Sequence, residues 1–308
     1  MTAMLNGRRR ASQPAQVWPI LPRADRSPVT LAESTSIIST SLTVFAIVLM
    51  WFLAQLLFLS GIEQGRAQER LYLDFRTQVA GATAPTGGVI APGSPVALFS
   101  IPSLGYEQVV SEGTSSGVLI NGLGHRRDTV LPGQAGVSII YGKSRTFGKP
   151  MAAMLTDATG RTLTVTTGQG ESTYKISKVR RGGDPMPVPP TGTGSRITMV
   201  TSEGSGSLGA LSPSKVVYVD AELVGKSYLA PGGRPNTVST IETAMAGDKT
   251  VMPSLALALG ALALVTVGSI WSRHRFGLVR TWIIAAPIVV ALAWLTSDLT
   301  MYLLPNLL

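Results

Sequence analysis

The chain has 308 residues, of which 26 are basic and 17 acidic, and its formal net charge is +9. It contains no cysteine and only two histidines, so disulfides, cysteine-based metal sites and thiol nucleophiles are excluded and a histidine-rich metal site is disfavoured. Only 14% of the residues are charged and 45% are hydrophobic, a balance that indicates a membrane-embedded part.

A basic N-terminal segment, residues 1–33, precedes the first apolar stretch at 34–62, which carries no charge. A helix needs about 20 apolar residues to cross a hydrocarbon core, so this stretch predicts an uncleaved transmembrane helix. A cleaved signal peptide is the alternative, because Arg8, Arg9 and Arg10 lie upstream. The apolar run is long for a signal peptide and starts far along the chain, which favours the anchor.

A juxtamembrane helix and linker are predicted at 63–95, and a second linker at 226–250. Both linkers are rich in small and turn-forming residues, which is typical of flexible tethers. The block between them, 96–225, contains short β-rich runs bounded by Gly and Pro, and one short helix is expected at 149–155. This pattern predicts an all-β sandwich or barrel. The strands are expected at 96–101, 107–110, 137–141, 161–167, 173–179, 196–201 and 215–223.

Two further transmembrane helices are predicted at 251–272 and 281–305, joined by a basic loop at 273–280. The loop has a net charge of +3, whereas the much longer segment 61–250 carries only +4. The positive-inside rule therefore places the N-terminus and the loop in the cytoplasm and the β-rich block outside. On this basis the basic pI reports topology, and nothing indicates nucleic-acid binding. Asp298 is expected at the membrane boundary, with packing against a partner protein as the alternative.

The β-rich block contains a series of short motifs in a fixed order: Ile101-Pro102, Glu112-Gly113-Thr114, Gly122-Leu123-Gly124-His125, Leu131-Pro132-Gly133-Gln134, the run from Tyr141 to Gly148, and Thr198-Met199-Val200-Thr201-Ser202. In their order and spacing these motifs resemble those of the sortase family, the actinobacterial class E sortases in particular. The resemblance covers roughly residues 96–225. It implies a closed β-barrel with short helices, which would accompany the three transmembrane helices.

The resemblance fails at the three positions that carry the family's chemistry. Sortases use a cysteine nucleophile, a histidine and an arginine, and the matching positions here hold Ser202, Lys143 and Lys215. A serine hydroxyl is a poor nucleophile unless a base takes its proton, and lysine lacks the bidentate fork of arginine. Sortase-type transpeptidation is therefore not expected. A Ser–Lys dyad formed by Ser202 and Lys143 is the alternative, with Lys215 stabilising the oxyanion.

Other residues of the block are candidates for a binding groove rather than for catalysis. His125 matches a histidine that many class E-like sequences carry in a turn, so a structural role is expected for it, and His274 lies in the basic loop. The Gly- and Ser-rich run 202–209 predicts a mobile loop, and the Pro-rich run 185–190 is either a contact surface or a solvated connector. The groove candidates are His125, Tyr141, Arg145, Thr201 and Pro189.

Together these observations predict a multi-pass membrane protein whose extracytoplasmic sortase-like barrel acts as a binding or assembly subunit at the cell surface. The expected partner is a membrane or cell-envelope protein, with an extended peptide as a further ligand; no cofactor and no metal are expected. The Ser–Lys hydrolase or acyltransferase is the enzymatic alternative, and a decoy that binds sorting-signal peptides without cleaving them is a third. Small residues on the second and third spans could pack against a partner helix.

Overall fold

The computed structural model describes residues 33–156, 158–204 and 215–307. The chain divides into two compact units, 1–45 and 46–308. The predicted basic segment at 1–33 lies outside the described residues except for Glu33, so its placement stays a prediction.

Two helices precede the barrel: α1, Glu33–Ala54, and α2, Ser60–Ala80, joined by a π-helical turn at Gln55–Leu59. α2 covers the helix predicted at 63–79, whose position beside a membrane stays a prediction. One face of α2 is buried. Gln68 of α2 donates to the carbonyl of Asn121 at 2.7 Å and accepts from the amide of Val109 at 2.7 Å. These bonds fix α2 along the barrel wall.

Eight strands close into a barrel in the order β1-β2-β3-β4-β7-β8-β6-β5. The predicted closed barrel is therefore confirmed, and each of the seven predicted strands corresponds to an observed one. The strands are β1 Pro95–Ile101, β2 Tyr106–Glu112, β3 Leu123–His125, β4 Gly136–Tyr141, β5 Thr162–Thr167, β6 Gly170–Arg181, β7 Ser195–Glu203 and β8 Lys215–Val224.

The description as all-β is too simple. A short helix α3, Ser116–Leu119, and the three-residue strand β3 were not predicted, and the expected short helix is α4, Ala152–Thr156. Helices also flank the barrel on both sides. The protein is therefore a β-barrel with substantial helical structure.

Side chains along β7 point alternately into the barrel interior and towards an outer apolar cluster. Ile197 and Met199 belong to the main core. Val200 belongs instead to a second cluster, outside the barrel, that it forms with Leu119, Tyr141 and Leu307. Successive strand residues point to opposite faces, so Ser202 shares the outer face with Val200. The strand places Ser202 beside this outer cluster.

The predicted linkers make specific contacts with the barrel. The backbone of Tyr228 is bonded to Gly133 and Ala135, and Gln134 donates to the carbonyl of Thr86 at 2.7 Å. Arg234 reaches Glu112 inside the barrel wall at 2.6 Å. The composition of these segments indicates a lack of regular secondary structure, but their backbone groups and side chains still form hydrogen bonds and an ion pair with the barrel.

The last two helices form a hairpin: α5, Met252–Phe276, and α6, Leu278–Leu303, turn at Gly277, whose φ of 87° favours glycine. Two stretches, Lys249–Ser269 and Val279–Leu303, are long and apolar enough to cross a membrane. Most of their apolar side chains are exposed, unlike those of a core helix in a soluble protein.

The structure supports two candidate spans rather than three. In the part of the first predicted span whose side chains are described, the apolar helix covers only Phe45–Ala54. Beyond it the polar Gln55 opens the π-helical turn, and the charged helix α2 follows. The first predicted span is thus not among the candidate spans found in the described part of the chain.

Asp298, on α6, accepts a hydrogen bond from the buried side chain of Gln55 at 2.6 Å. Trp51 and Trp294 pack nearby, with ring centroids 6.1 Å apart. The carboxylate of Asp298 therefore joins two helices of the same chain, a contact that neither expectation for this residue included.

Candidate functional site

Ser202, the predicted counterpart of the family's cysteine, lies near the end of β7 opposite Val216 of β8. Its side chain is 5% exposed, and its Oγ donates a hydrogen bond to the carbonyl oxygen of Leu307 at 2.5 Å. Its own carbonyl accepts from Ser144 Oγ at 2.6 Å. Ser202 is thus held on both sides and faces a peptide carbonyl.

Lys143 follows β4 and is completely buried. Its Nζ lies 5.2 Å from the centroid of the Phe147 ring, and its carbonyl accepts from the amide of Met151. Burial lowers the pKa of Lys143 to about 7, because the protonated amine is poorly solvated there. An amine with such a pKa can accept a proton near neutral pH, which an ordinary lysine cannot do.

Lys215 begins β8 and is exposed. It pairs in register with Glu203, the residue after Ser202. Glu203 also forms an ion pair with Arg181 at 2.8 Å. The hydrogen bond from Arg181 lowers the pKa of Glu203, and the charge of Lys215 lowers it further. The strand register thus places Lys215 near Ser202, at a solvent-facing edge.

The loop after Ser202 is held at its start. Arg145, itself exposed, donates to the carbonyl of Gly204 at 3.1 Å. Residues 205–214 lie outside the described residues, so the predicted mobility of the Gly- and Ser-rich run stays a prediction there.

The groove candidates are distributed over different surroundings. Tyr141 belongs to the outer cluster with Leu307, the residue whose carbonyl oxygen accepts the hydrogen bond from Ser202. Thr201 is fully buried on the opposite face of β7, and within the described part of the chain its Oγ1 has no hydrogen-bond partner. Pro189 is exposed in the loop between β6 and β7.

His125 is fully buried in a charged network. Its Nδ1 lies 2.9 Å from Glu112, and its Nε2 lies 2.9 Å from the carbonyl oxygen of Val130. Arg234 binds the other carboxylate oxygen of Glu112 at 2.6 Å. Both ring nitrogens of His125 thus have partners within the protein.

The residues that cover Ser202 were not identified from the sequence. They form the segment 304–307, which follows α6; only its first two residues, 304 and 305, were assigned to the end of the third predicted span. Asn306 and Leu307 are both fully buried. The available signal was Pro305, which cannot continue a helix, followed by the polar Asn306. Neither residue reveals where the segment packs.

No metal site is indicated within the described ranges, where no three His, Asp or Glu side chains come together in a group that could hold an ion.

Comparison with protein families agrees with the predicted resemblance. The family model described as the sortase domain matches residues 99–223, which run from β1 to β8. No curated protein sequence gives a match.

Solved structures of sortases are similar to the chain. The Sortase D5 transpeptidase of Clostridium perfringens is 21% identical, with 53% of this chain and 98% of that chain covered and a TM-score of 0.39. Sortase E of Streptomyces avermitilis is 26% identical, with 44% and 91% covered and a TM-score of 0.35. Sortase E1 of Streptomyces coelicolor, solved with a tripeptide in its active site, is 19% identical, with 45% and 93% covered and a TM-score of 0.36.

Proposed function

We propose that the protein, whose residues 99–223 match the sortase family model, is a membrane-anchored, catalytically degenerate sortase that acts as a binding or assembly subunit at the cell surface. The observation that carries the proposal is the state of Ser202. It replaces the family's cysteine, and its hydroxyl is engaged by the carbonyl of Leu307. The barrel is preserved while the nucleophile is both weaker and covered.

The hairpin of α5 and α6 supports anchoring with the barrel outside the cell. Arg273, Arg275 and Arg280 lie around the turn at Gly277, at the end of the hairpin away from the barrel. The positive-inside rule places this turn in the cytoplasm. A hairpin returns the chain to the side from which it came, which agrees with the contact between the segment 304–307 and the barrel.

An open face on α5 supports a membrane partner. A Cβ added at Gly260 or at Gly268 would meet nothing within 4 Å. Small residues let helix backbones approach closely in a bilayer, so this face suits a partner helix.

We expect the full chain, purified in mild detergent, not to cleave a fluorogenic peptide that carries a cell wall sorting motif. A Streptomyces sortase E serves as the positive control. Turnover by this protein that disappears in Ser202→Ala would contradict the proposal.

We expect Gly260→Leu to weaken the complex formed in native membranes, because a bulky side chain blocks close approach of a partner helix. The measurement is the size of the cross-linked complex extracted in mild detergent. Gly232→Leu is the matched control, since Gly232 is an equally open glycine outside the helices. A complex unchanged by Gly260→Leu would remove this face from the proposal.

The Ser–Lys enzyme is a second candidate, favoured by one observation: burial lowers the pKa of Lys143 to about 7. Such a lysine could take the proton of a nearby serine hydroxyl. A fluorophosphonate probe tests this candidate on the full chain. Labelling that is lost in both Ser202→Ala and Lys143→Ala would establish the enzyme, and labelling that is absent or survives both would exclude it.

A further inference from the structure

We infer that the segment 304–307 is an internal ligand that closes the groove beside Ser202, and that the groove accepts an external ligand only when this segment withdraws. The inference deepens the proposed function and rests on the groove being its binding surface. It assigns a role to the residues that follow the last apolar helix.

Asn306 supplies most of the polar contacts of the segment. Its Nδ2 donates to the carbonyls of Ile241 and Thr243, each at 2.7 Å, and its amide donates to the carbonyl of Ala246 at 2.9 Å. Its Oδ1 accepts from the buried hydroxyl of Ser116 at 2.8 Å. All hydrogen-bonding groups of this side chain are therefore engaged, as specific binding of a buried amide requires.

Leu307 supplies the apolar contact. It is fully buried in the outer cluster with Leu119, Tyr141 and Val200. Its carbonyl oxygen accepts from Ser202 Oγ. The segment thus fills an apolar site and covers the hydroxyl of Ser202 at the same time.

The surrounding backbone is shaped to admit the segment. A Cβ at Gly247 would lie 2.2 Å from the carbonyl oxygen of Leu303, and a Cβ at Gly117 would lie 3.0 Å from the ring of Tyr302. The amide of Asp248 donates to the carbonyl of Tyr302 at 2.8 Å. The close approach at both glycines continues the same interface up to the end of α6.

Any ligand that reaches Ser202 must compete with these contacts. The groove suits an extended peptide in which a side-chain amide like that of asparagine is followed by a side chain the size of leucine. These are the groups of Asn306 and Leu307, which it binds in its own chain. An external ligand of this kind would be a peptide segment that displaces residues 304–307.

The natural absence of cysteine provides a direct test. Val200→Cys places one thiol under Leu307, and Ser103→Cys places one on the surface. In the full chain in detergent, we expect a maleimide to label Val200→Cys at least about 100-fold more slowly than Ser103→Cys, because labelling requires local opening. Adding Leu307→Asp should speed the labelling of Val200→Cys by about 10-fold or more, since a carboxylate is disfavoured in the apolar cluster.

Leu307→Met is the matched control and should leave the thiol protected, because it conserves volume. Asn306→Ala is a second variant that should release the segment while keeping the leucine. The surface thiol of Ser103→Cys should be labelled at the same rate in the parent and in each variant of the segment. Equal labelling of the two thiols in the unaltered segment would overturn the inference. So would protection that persists in both Leu307→Asp and Asn306→Ala. Serine-probe reactivity tests the proposed function separately, so the two failures are distinguishable.

Discussion

Replacing Arg234 with methionine is expected to lower the free energy of unfolding by about 3–5 kcal/mol, because it leaves a buried carboxylate without its cation. Glu112 is fully buried, and Arg234 Nη2 lies 2.6 Å from its Oε1. Arg234 also donates to the carbonyl of Thr129 at 3.1 Å. The residue therefore ties the chain after the barrel to the strand that carries Glu112. Chemical unfolding of the full chain in detergent measures the loss.

Arg181→Met is the matched control for this prediction. Arg181 forms an ion pair of similar length with Glu203, at 2.8 Å, but both side chains are substantially exposed. Its loss should cost far less than the loss of Arg234, because solvent screens an exposed ion pair. The double variant Glu112→Gln, Arg234→Met should recover part of the loss, since the buried charge is removed as well. Equal effects of the two arginine substitutions would show that the Arg234 pair is not desolvated in the way its burial indicates.

Replacing Lys143 with methionine is expected to stabilise the protein by up to about 5 kcal/mol below pH 7, because burial of the charged amine is a cost. The pKa of Lys143 falls from 10.5 to about 7 on folding. Between these values the unfolded chain binds more protons than the folded one, so stability rises with pH. The penalty is complete below about pH 7 and is relieved as pH rises towards 10.5.

The measurement is the free energy of unfolding of the full chain at pH 7 and at pH 9. We expect the parent protein to gain about 2 kcal/mol over this interval relative to Lys143→Met. Lys215→Met, at an exposed lysine of the same site, is the control and should retain the pH dependence of the parent. A parent and a Lys143→Met variant with parallel pH profiles would show that Lys143 is charged without penalty.

A lysine that lowers stability needs a reason to be retained. Stability is commonly sacrificed at functional sites, and a depressed amine pKa is typical of them. The stabilising effect of Lys143→Met therefore bears on the choice between the two candidate functions. Stabilisation accompanied by loss of fluorophosphonate labelling would favour the Ser–Lys enzyme, whereas stabilisation with unchanged ligand binding would favour the binding subunit.

The sequence predicts the barrel well because its strands carry local signals. The alternation of Leu163 and Val165 with threonines is one such signal, and β5 lies where it places a strand. The three-residue strand β3 has too few positions for any periodicity to appear. Its pairing with β2 and β4 arises from the tertiary structure.

Tertiary contacts also explain what was missed at the candidate site. The positions of Ser202, Lys143 and Lys215 are predicted from motif order, but Lys143 is buried beside Phe147, which itself packs with Leu56 and Met301 from distant parts of the chain. The contact between Ser202 and Leu307 joins residues 105 positions apart. No local pattern encodes such a pairing. The bond between Gln55 and Asp298 likewise joins residues 243 positions apart.

The segment 304–307 continues directly from α6, and this continuity links groove access to the depth of a membrane helix. An α-helix rises about 1.5 Å per residue, so sliding α6 by one turn would move Leu307 by about 5 Å and take it out of its cluster. In the proposed membrane-anchored form, bilayer thickness or a partner helix that shifts α6 would then alter groove occupancy. By thermodynamic reciprocity, a peptide bound in the groove would also bias the position of α6, so that peptide binding outside the cell would change the depth of a helix in the bilayer.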